Sequence, residues 1–250
     1  MKTNTKLHYG HYALPFYAIF SAIILITGIL VTFFVWWVPG AVIIGIGLYF
    51  VVVCPISMHL TKPSDPSILP KHILELKGDE KVLDVGCGLG KATIAAAKQL
   101  KTGKAIGIDI WSKMEIPGNS PERAYKNAEI EGVRDKVEFK TGNVLNLEFP
   151  DNSFDVVTSS SVINNLHTDS QKLVALKEIF RVLRPGGKFL LLEPLRDSWN
   201  LLTWTPFFVW MLLPKDKWIT LLNKTGFVNL KYNNFQKMGI FLVEKQSNQK

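Results

Sequence analysis

The chain follows two hydrophobic rules. From Leu14 to Val35, and again from Ala41 to Leu60, almost every position is apolar, and no alternation leaves a polar face. A bilayer core of ~30 Å takes roughly 20 such residues as a helix, so each stretch is expected to be a membrane span. Trp36-Trp37-Val38-Pro39-Gly40 separates them: Pro-Gly punctuates a turn, and paired Trp suits a membrane–water interface. Tyr9, Tyr12 and Tyr17 would form the opposite aromatic belt. Leu14–Val35 holds 14 Leu, Ile, Val or Phe residues. Their insertion term is on the order of −4 to −8 kcal/mol, taken at the bilayer centre. Cys54-Pro55 predicts a kink, and Ala41-xxx-Gly45 a close helix–helix contact.

Beyond residue 60 the pattern changes to short apolar runs alternating with amphipathic stretches. Residues 61–70, TKPSDPSILP, read as a linker that leads into a helix near Ile68–Leu76. Buried strands are expected at Lys81–Val85, Ala105–Ile110, Val137–Thr141, Phe154–Ser160 and Lys188–Leu192. Helices are expected at Lys91–Leu100, from Ser120-Pro121-Glu122 to about Glu131, and at Asp169–Leu183, before Arg184-Pro185-Gly186-Gly187. A helix near Lys215–Lys224 and strands near Phe227–Tyr232 and Ile240–Lys245 complete the pattern. Strands alternating with helices imply an α/β fold with a doubly wound, mostly parallel sheet. Ligands of such sheets sit beyond the carboxyl ends of the strands, at the topological switch point.

Charge sharpens this division. Of the 29 Lys and Arg, only Lys2 and Lys6 precede Lys62, and all 21 acidic residues follow it. The 55 residues between Lys6 and Lys62 carry no charge. The Lys residues at 2, 6, 62, 71 and 77 flank the outer ends of the two spans, which places both termini and the body in the cytoplasm. Residues 1–60 are thus expected as a transmembrane hairpin (spans about 14–35 and 41–60), 61–70 as a linker and 71–250 as a folded domain. The two cysteines, Cys54 and Cys87, provide neither a disulfide framework nor a metal cluster. No aromatic-plus-basic stripe indicates nucleic acid.

The candidate site follows the first strand. In Asp84-Val85-Gly86-Cys87-Gly88-Leu89-Gly90, glycines let the backbone approach a ligand, and the helix start offers free N–H groups. Lys91 stands where a dinucleotide fingerprint needs its third glycine, and no Gly-Lys-Ser/Thr follows, so neither a pyrophosphate cradle nor a P-loop is expected. Asp109 ends the second strand, 19 residues past Gly90. A carboxylate there can accept both hydroxyls of a ribose, which needs only a nucleoside.

VLDVGCGLG, GIDIW, TGN, FPDNSFDVV and RVLRPGGKFLLLEP, in this order, resemble the class I S-adenosylmethionine-dependent methyltransferases, and among them the ubiquinone/menaquinone C-methyltransferase-like group, over about residues 66–245. The resemblance implies a class I methyltransferase fold, with a seven-stranded sheet ending in an antiparallel hairpin. It implies S-adenosyl-L-methionine as cofactor. Asp84, Gly86, Gly88 and Gly90 would hold the methionine part, Asp109 the ribose, and Ile110 and Trp111 would cover the adenine. Asn143 replaces the usual Asp that accepts from the adenine amino group; its oxygen can still accept. The Val144 N–H would meet the ring, and Ser159 would lie near the methionine end.

The chemistry of transfer is less legible. Thr158 to His167 lacks the Asn/Asp-Pro-Pro-Tyr/Phe arrangement that resembling enzymes use on nucleobase amines. His167 reads either as a base or as a surface residue ahead of the next helix, and Glu193, at the end of the fifth strand, as a second catalytic candidate. Residues 199–213, WNLLTWTPFFVWMLL, are uncharged and too short to span, which suggests an interfacial segment or a lid over the acceptor pocket. The expectation is methyl transfer to a lipophilic acceptor in the bilayer: a quinone, isoprenoid or phospholipid amine. The alternatives are a membrane-tethered methyltransferase of a polar small molecule or protein, and a non-catalytic cofactor-binding membrane protein.

Overall fold

The computed structural model describes residues 9, 14–61, 73–198, 212–235 and 238–247, with side chains except at 14–17, 54, 55, 57–61 and 235. The two apolar stretches form helices α1 (Leu14–Phe34) and α2 (Trp37–Thr61). The break is shorter than expected, because Pro39 falls within the first turn of α2, where a missing N–H costs no helical bond. The helices pack on their small residues. A Cβ on Gly40 would lie 2.0 Å from Thr32 Oγ1, one on Gly28 2.7 Å from Ile44, and one on Gly47 2.7 Å from Leu25. Gly45 meets no atom within 4 Å, so the expected Ala41-xxx-Gly45 contact gives way to one through Gly40 and Gly47, two turns apart. Phe20 and Phe50 meet edge to face at 6.0 Å.

The rest of the hairpin surface is apolar and exposed: Ile19, Ile26, Phe33, Phe34, Val42 and Val52 all point outward, Phe34 at 83% exposure. Among the described residues no helix is long and apolar enough to cross a membrane. The expected helices form, but the two expected membrane spans are not found among the described residues. Tyr9, expected in an interfacial belt, instead donates its hydroxyl to Glu131 Oε1 at 3.5 Å.

The body is a seven-stranded sheet in the order β3-β2-β1-β4-β5-β7-β6. β1 (Lys81–Val85), β2 (Lys104–Asp109), β3 (Val137–Thr141), β4 (Phe154–Ser160) and β5 (Leu183–Pro194) run parallel. β7 (Met238–Lys245) inserts antiparallel between β5 and β6 (Phe227–Phe235). Alternate residues of β1 enter two cores: Leu83 and Val85 pack with Phe154, Ile179 and Trp218, and Val82 with Ile94, Ala105 and Leu190. Burial on both faces explains why these strands read as continuous apolar runs.

Helices α3 (Lys91–Ala97), α4 (Pro121–Ile130), α5 (Asp169–Val182) and α6 (Lys215–Thr225) cover the sheet. α4 starts as its sequence predicts: the Ser120 side chain accepts from the Arg123 N–H, and Pro121 opens the first turn. α5 carries a full capping box from Thr168 and Gln171. Two expectations shift. Residues 73–76 are not helical, and 68–72 of that expected helix lie outside the described residues. β5 begins at Leu183, so Arg184-Pro185-Gly186-Gly187 enters the strand instead of separating it from α5, and β4 shifts register opposite it between Phe154 and Val156.

Candidate functional site

The strand order reverses between β1 and β4, and the glycine loop leaves β1 there. Gly86, Gly88 and Gly90 all have positive φ, at 72°, 50° and 85°. A Cβ on Gly86 would stand 2.1 Å from Val162 Cγ2, and one on Gly90 2.7 Å from Phe139. These glycines serve both the turn and the close approach of neighbouring chain.

Asp84 is buried and accepts from two hydroxyls, Thr93 Oγ1 at 2.7 Å and Thr158 Oγ1 at 2.8 Å. It thereby ties β1, α3 and β4 together beneath the loop. Burial pushes its pKa up to about 6, against the two hydroxyl bonds. The sequence marks Asp84 for the ligand, whereas the structure makes it the brace of the loop. Burial, followed by the charges of Asp84 and Asp109, raises Cys87, so its sulfur stays a thiol.

Asp109 lies across the loop. Its Oδ2 accepts from the Gly88 N–H at 2.8 Å. Its Oδ1 accepts from the Trp111 N–H at 2.6 Å and from Asn119 Nδ2 at 3.1 Å. Trp111 adopts φ 60°, and its Nε1 donates to Thr141 Oγ1 at 3.1 Å, which turns the indole across the ends of β2 and β3. Ile110 is 61% exposed beside it. Asn143 is exposed on the loop after β3, and its Oδ1 accepts the Leu145 N–H at 2.9 Å. It borders a cavity of about 130 Å³ lined also by Ile108, Thr141 and Phe149. Val144 is buried.

The opposite wall is the turn after β4. Ser159 is fully buried, and its Oγ has no protein partner. Ser161 takes φ 58° while its N–H donates to Leu192 O, and Val162 then packs on Gly86. Between the two walls runs the loop 111–119. Ile116 Cδ1 reaches to 2.9 Å of where a Gly88 Cβ would be, and Glu115 Oε2 accepts from Asn165 Nδ2 at 3.4 Å. Burial and then Asp109 raise the pKa of Glu115. Asp109, with Glu115 on the facing loop, around backbone amides and an orphaned serine hydroxyl suits a nucleoside carrying positive charge. The residues present therefore fit the expected cofactor.

The two catalytic candidates separate. His167 is exposed, and its backbone N–H donates to Gln171 Oε1 at 3.1 Å, just ahead of the capping box. Glu193 is fully buried, with Oε1 accepting from the N–H groups of Val162, Ile163 and Asn164 at 3.1, 2.8 and 3.4 Å. It faces backbone instead of the mouth expected from sequence. Residues 199–211 of the uncharged segment lie outside the described residues, while Leu212 and Leu213 are buried, the latter donating its N–H to Asn164 Oδ1 at 3.3 Å. Sequence reasoning missed Thr93, Glu115, Asn119, Asn165 and Lys172. A hydroxyl and a lysine on helices α3 and α5, and a carboxylate and amides in the loops, carry no spacing signal.

Residues 83–191 match the family model described as a methyltransferase domain. The chain is 38% identical over 121 residues to a demethylmenaquinone methyltransferase of Lactiplantibacillus plantarum, covering 48% of this chain and 47% of that protein. It is 36% identical over 150 residues to a ubiquinone/menaquinone biosynthesis C-methyltransferase of Hydrogenovibrio crunogenus, covering 58% and 56%. An uncharacterized protein of Haemophilus influenzae is 32% identical over 165 residues, covering 61% and 60%. The chain thus spans about half to three fifths of the length of these relatives. An S-adenosylmethionine-dependent methyltransferase from Aquifex aeolicus shares the fold at TM-score 0.58 and 20% identity, covering 75% of this chain and 97% of that one.

Proposed function

We propose that the methyltransferase domain carried by this chain moves a methyl group from S-adenosylmethionine to a lipophilic acceptor of the quinone class, next to a membrane that holds its helical hairpin. The apolar hairpin carries this reading. An exposed apolar surface of this extent marks a membrane or protein interaction site, and α1 and α2 have no polar face to offer water. The names of the relatives support a quinone. The Lys residues flanking the hairpin support an orientation with both termini and the domain on the cytoplasmic side.

S-adenosylmethionine supplies an electrophilic methyl on a sulfonium. The protein then has to orient it and exclude water, for which proximity contributes roughly 7–11 kcal/mol. Asp109 would accept from the ribose, Ile110, Trp111, Asn143 and Val144 would border the adenine, and Ser159 and the glycine loop would border the methionine end. Methylation of a quinol ring carbon forms a C–C bond and releases the ring proton, so a base has to receive it. His167 is the accessible candidate.

Membranes containing the full chain, given methyl-labelled cofactor and extracted with organic solvent, test this reading. Label in a quinone fraction is expected. Label only in water-soluble products refutes the lipophilic acceptor and leaves the hairpin as a tether. Asp109→Ala is expected to weaken calorimetric cofactor binding at least tenfold; unchanged affinity refutes the site.

A further inference from the structure

The turn after β4 is gripped at both ends by buried ionisable side chains. Ile163–Asn165 is a single 3-10 turn, too short to hold itself. At its start, one oxygen of Glu193 accepts the N–H groups of Val162, Ile163 and Asn164. At its end, Lys172 Nζ, reaching in from α5, donates to Asn164 O at 3.1 Å and to Leu166 O. Both side chains are buried, at 0% and 2% exposure. The carboxyl oxygen meets the turn's free amides and the Lys172 Nζ its free carbonyls, so each end of the turn finds a partner of complementary polarity. Asn164 adds a third fastening, donating to Pro194 O at 2.9 Å and accepting from Leu213 N–H at 3.3 Å.

Burying two ionisable groups is costly before they find partners, and apolar residues of the same volume would fill such sites at lower cost. What the pair provides is a fixed place for the turn. Two residues of that turn border the candidate site: Val162 presses its methyls on Gly86, and Asn165 donates to Glu115 on the facing loop. A shift of about 1 Å in the turn would widen or close this gap.

We infer that Glu193 and Lys172 are positioning residues, a clamp that sets the distance between the post-β4 turn and the glycine loop and so fixes the fit of the cofactor's methionine end. The inference rests on the methyltransferase reading above and needs no identified acceptor.

Three variants of the full chain in mild detergent test it: Glu193→Gln, Glu193→Asp and Lys172→Met. Gln keeps an oxygen for the three N–H groups; Asp keeps the charge but withdraws it by a methylene; Met removes the ammonium. The readouts are calorimetric affinity for S-adenosylmethionine, the melting temperature, and amide hydrogen exchange of the peptide covering 161–168. The expected result is binding within about threefold of wild type for Gln, a loss of at least tenfold for Asp and Met, and faster exchange confined to that peptide. A folded Asp variant with wild-type affinity and exchange overturns the clamp; if that variant does not fold, Lys172→Met decides by the same criterion. Absence of cofactor binding by the wild-type chain would sink the methyltransferase reading, while the exchange pattern would still decide the clamp.

Discussion

Gly86→Ala isolates how tightly the two walls of the site meet. Gly86 has φ 72°, and an added Cβ would stand 2.1 and 2.7 Å from the two methyls of Val162. An alanine in the left-handed region costs about 1–2 kcal/mol, and forcing a methyl into a filled site costs a further ~1–3 kcal/mol. Val162 is β-branched and stiff at χ1, so it cannot swing aside cheaply. Gly186 is the control: it has φ 77° and nothing within 4 Å, so Gly186→Ala carries only the backbone cost. At ~2–4 °C per kcal/mol for a domain of this size, Gly86→Ala should lower the melting temperature by about 4–20 °C and Gly186→Ala by about 2–8 °C. Adding Val162→Ala to Gly86→Ala removes both offending methyls and should return ~1–3 kcal/mol as a favourable coupling in a double-mutant cycle. Thermal melting of wild type, the single variants Gly86→Ala, Val162→Ala and Gly186→Ala, and the double variant by circular dichroism in mild detergent, with calorimetric cofactor binding alongside, measures this. Equal losses at the two glycines, or a strictly additive double variant, would refute the reasoning.

Other outcomes follow from buried polar groups and from the hairpin. Burial lifts Glu193 from an ordinary carboxyl pKa to about 7, against three backbone N–H bonds and the nearby Lys172 charge. Between its unfolded pKa and about 7 the native state binds the extra proton, so this contribution to stability is fully present below the unfolded value and is lost as pH rises through 7. Wild type should therefore lose on the order of 3 kcal/mol relative to Glu193→Gln between pH 4.5 and 8; parallel melting curves across that range would count against it. Thr93→Val strips one donor from buried Asp84 and should cost about 1–3 kcal/mol, read as a lower melting temperature; no change would mean that Asp84 does not brace the loop. Gly47→Leu should splay the hairpin against Leu25 and lower its thermal stability in detergent, while Gly45→Leu, facing open space, should not; equal effects would contradict the packing.

The sheet was legible in the sequence because strands buried on both faces are largely apolar inside, as Val82, Leu83 and Val85 of β1 and Ala105, Ile106 and Ile108 of β2 are. The glycine loop was legible because positive φ at Gly86, Gly88 and Gly90 excludes most other residues. What lay hidden depends on three-dimensional neighbours. Nothing in the sequence says that Thr93 and Thr158 converge on Asp84, or that Glu193 turns from the mouth to the amides of Val162, Ile163 and Asn164. The hairpin contact was misread for a similar reason. Ala41-xxx-Gly45 has the right spacing, but helix rotation points Gly45 outward and brings Gly40 and Gly47 to the partner.

The strand late in the chain occupies an interior place in the sheet. β7 bonds to β5 on one side and β6 on the other, so neither gains its neighbour until Met238–Lys245 exists. The hairpin, by contrast, is finished by Thr61. At ~5–20 residues per second of synthesis, roughly ten to forty seconds separate the two events. During that interval the ribosome holds a complete pair of apolar helices and an open sheet. The time available for the helices to find a greasy partner thus precedes the moment at which the body can close.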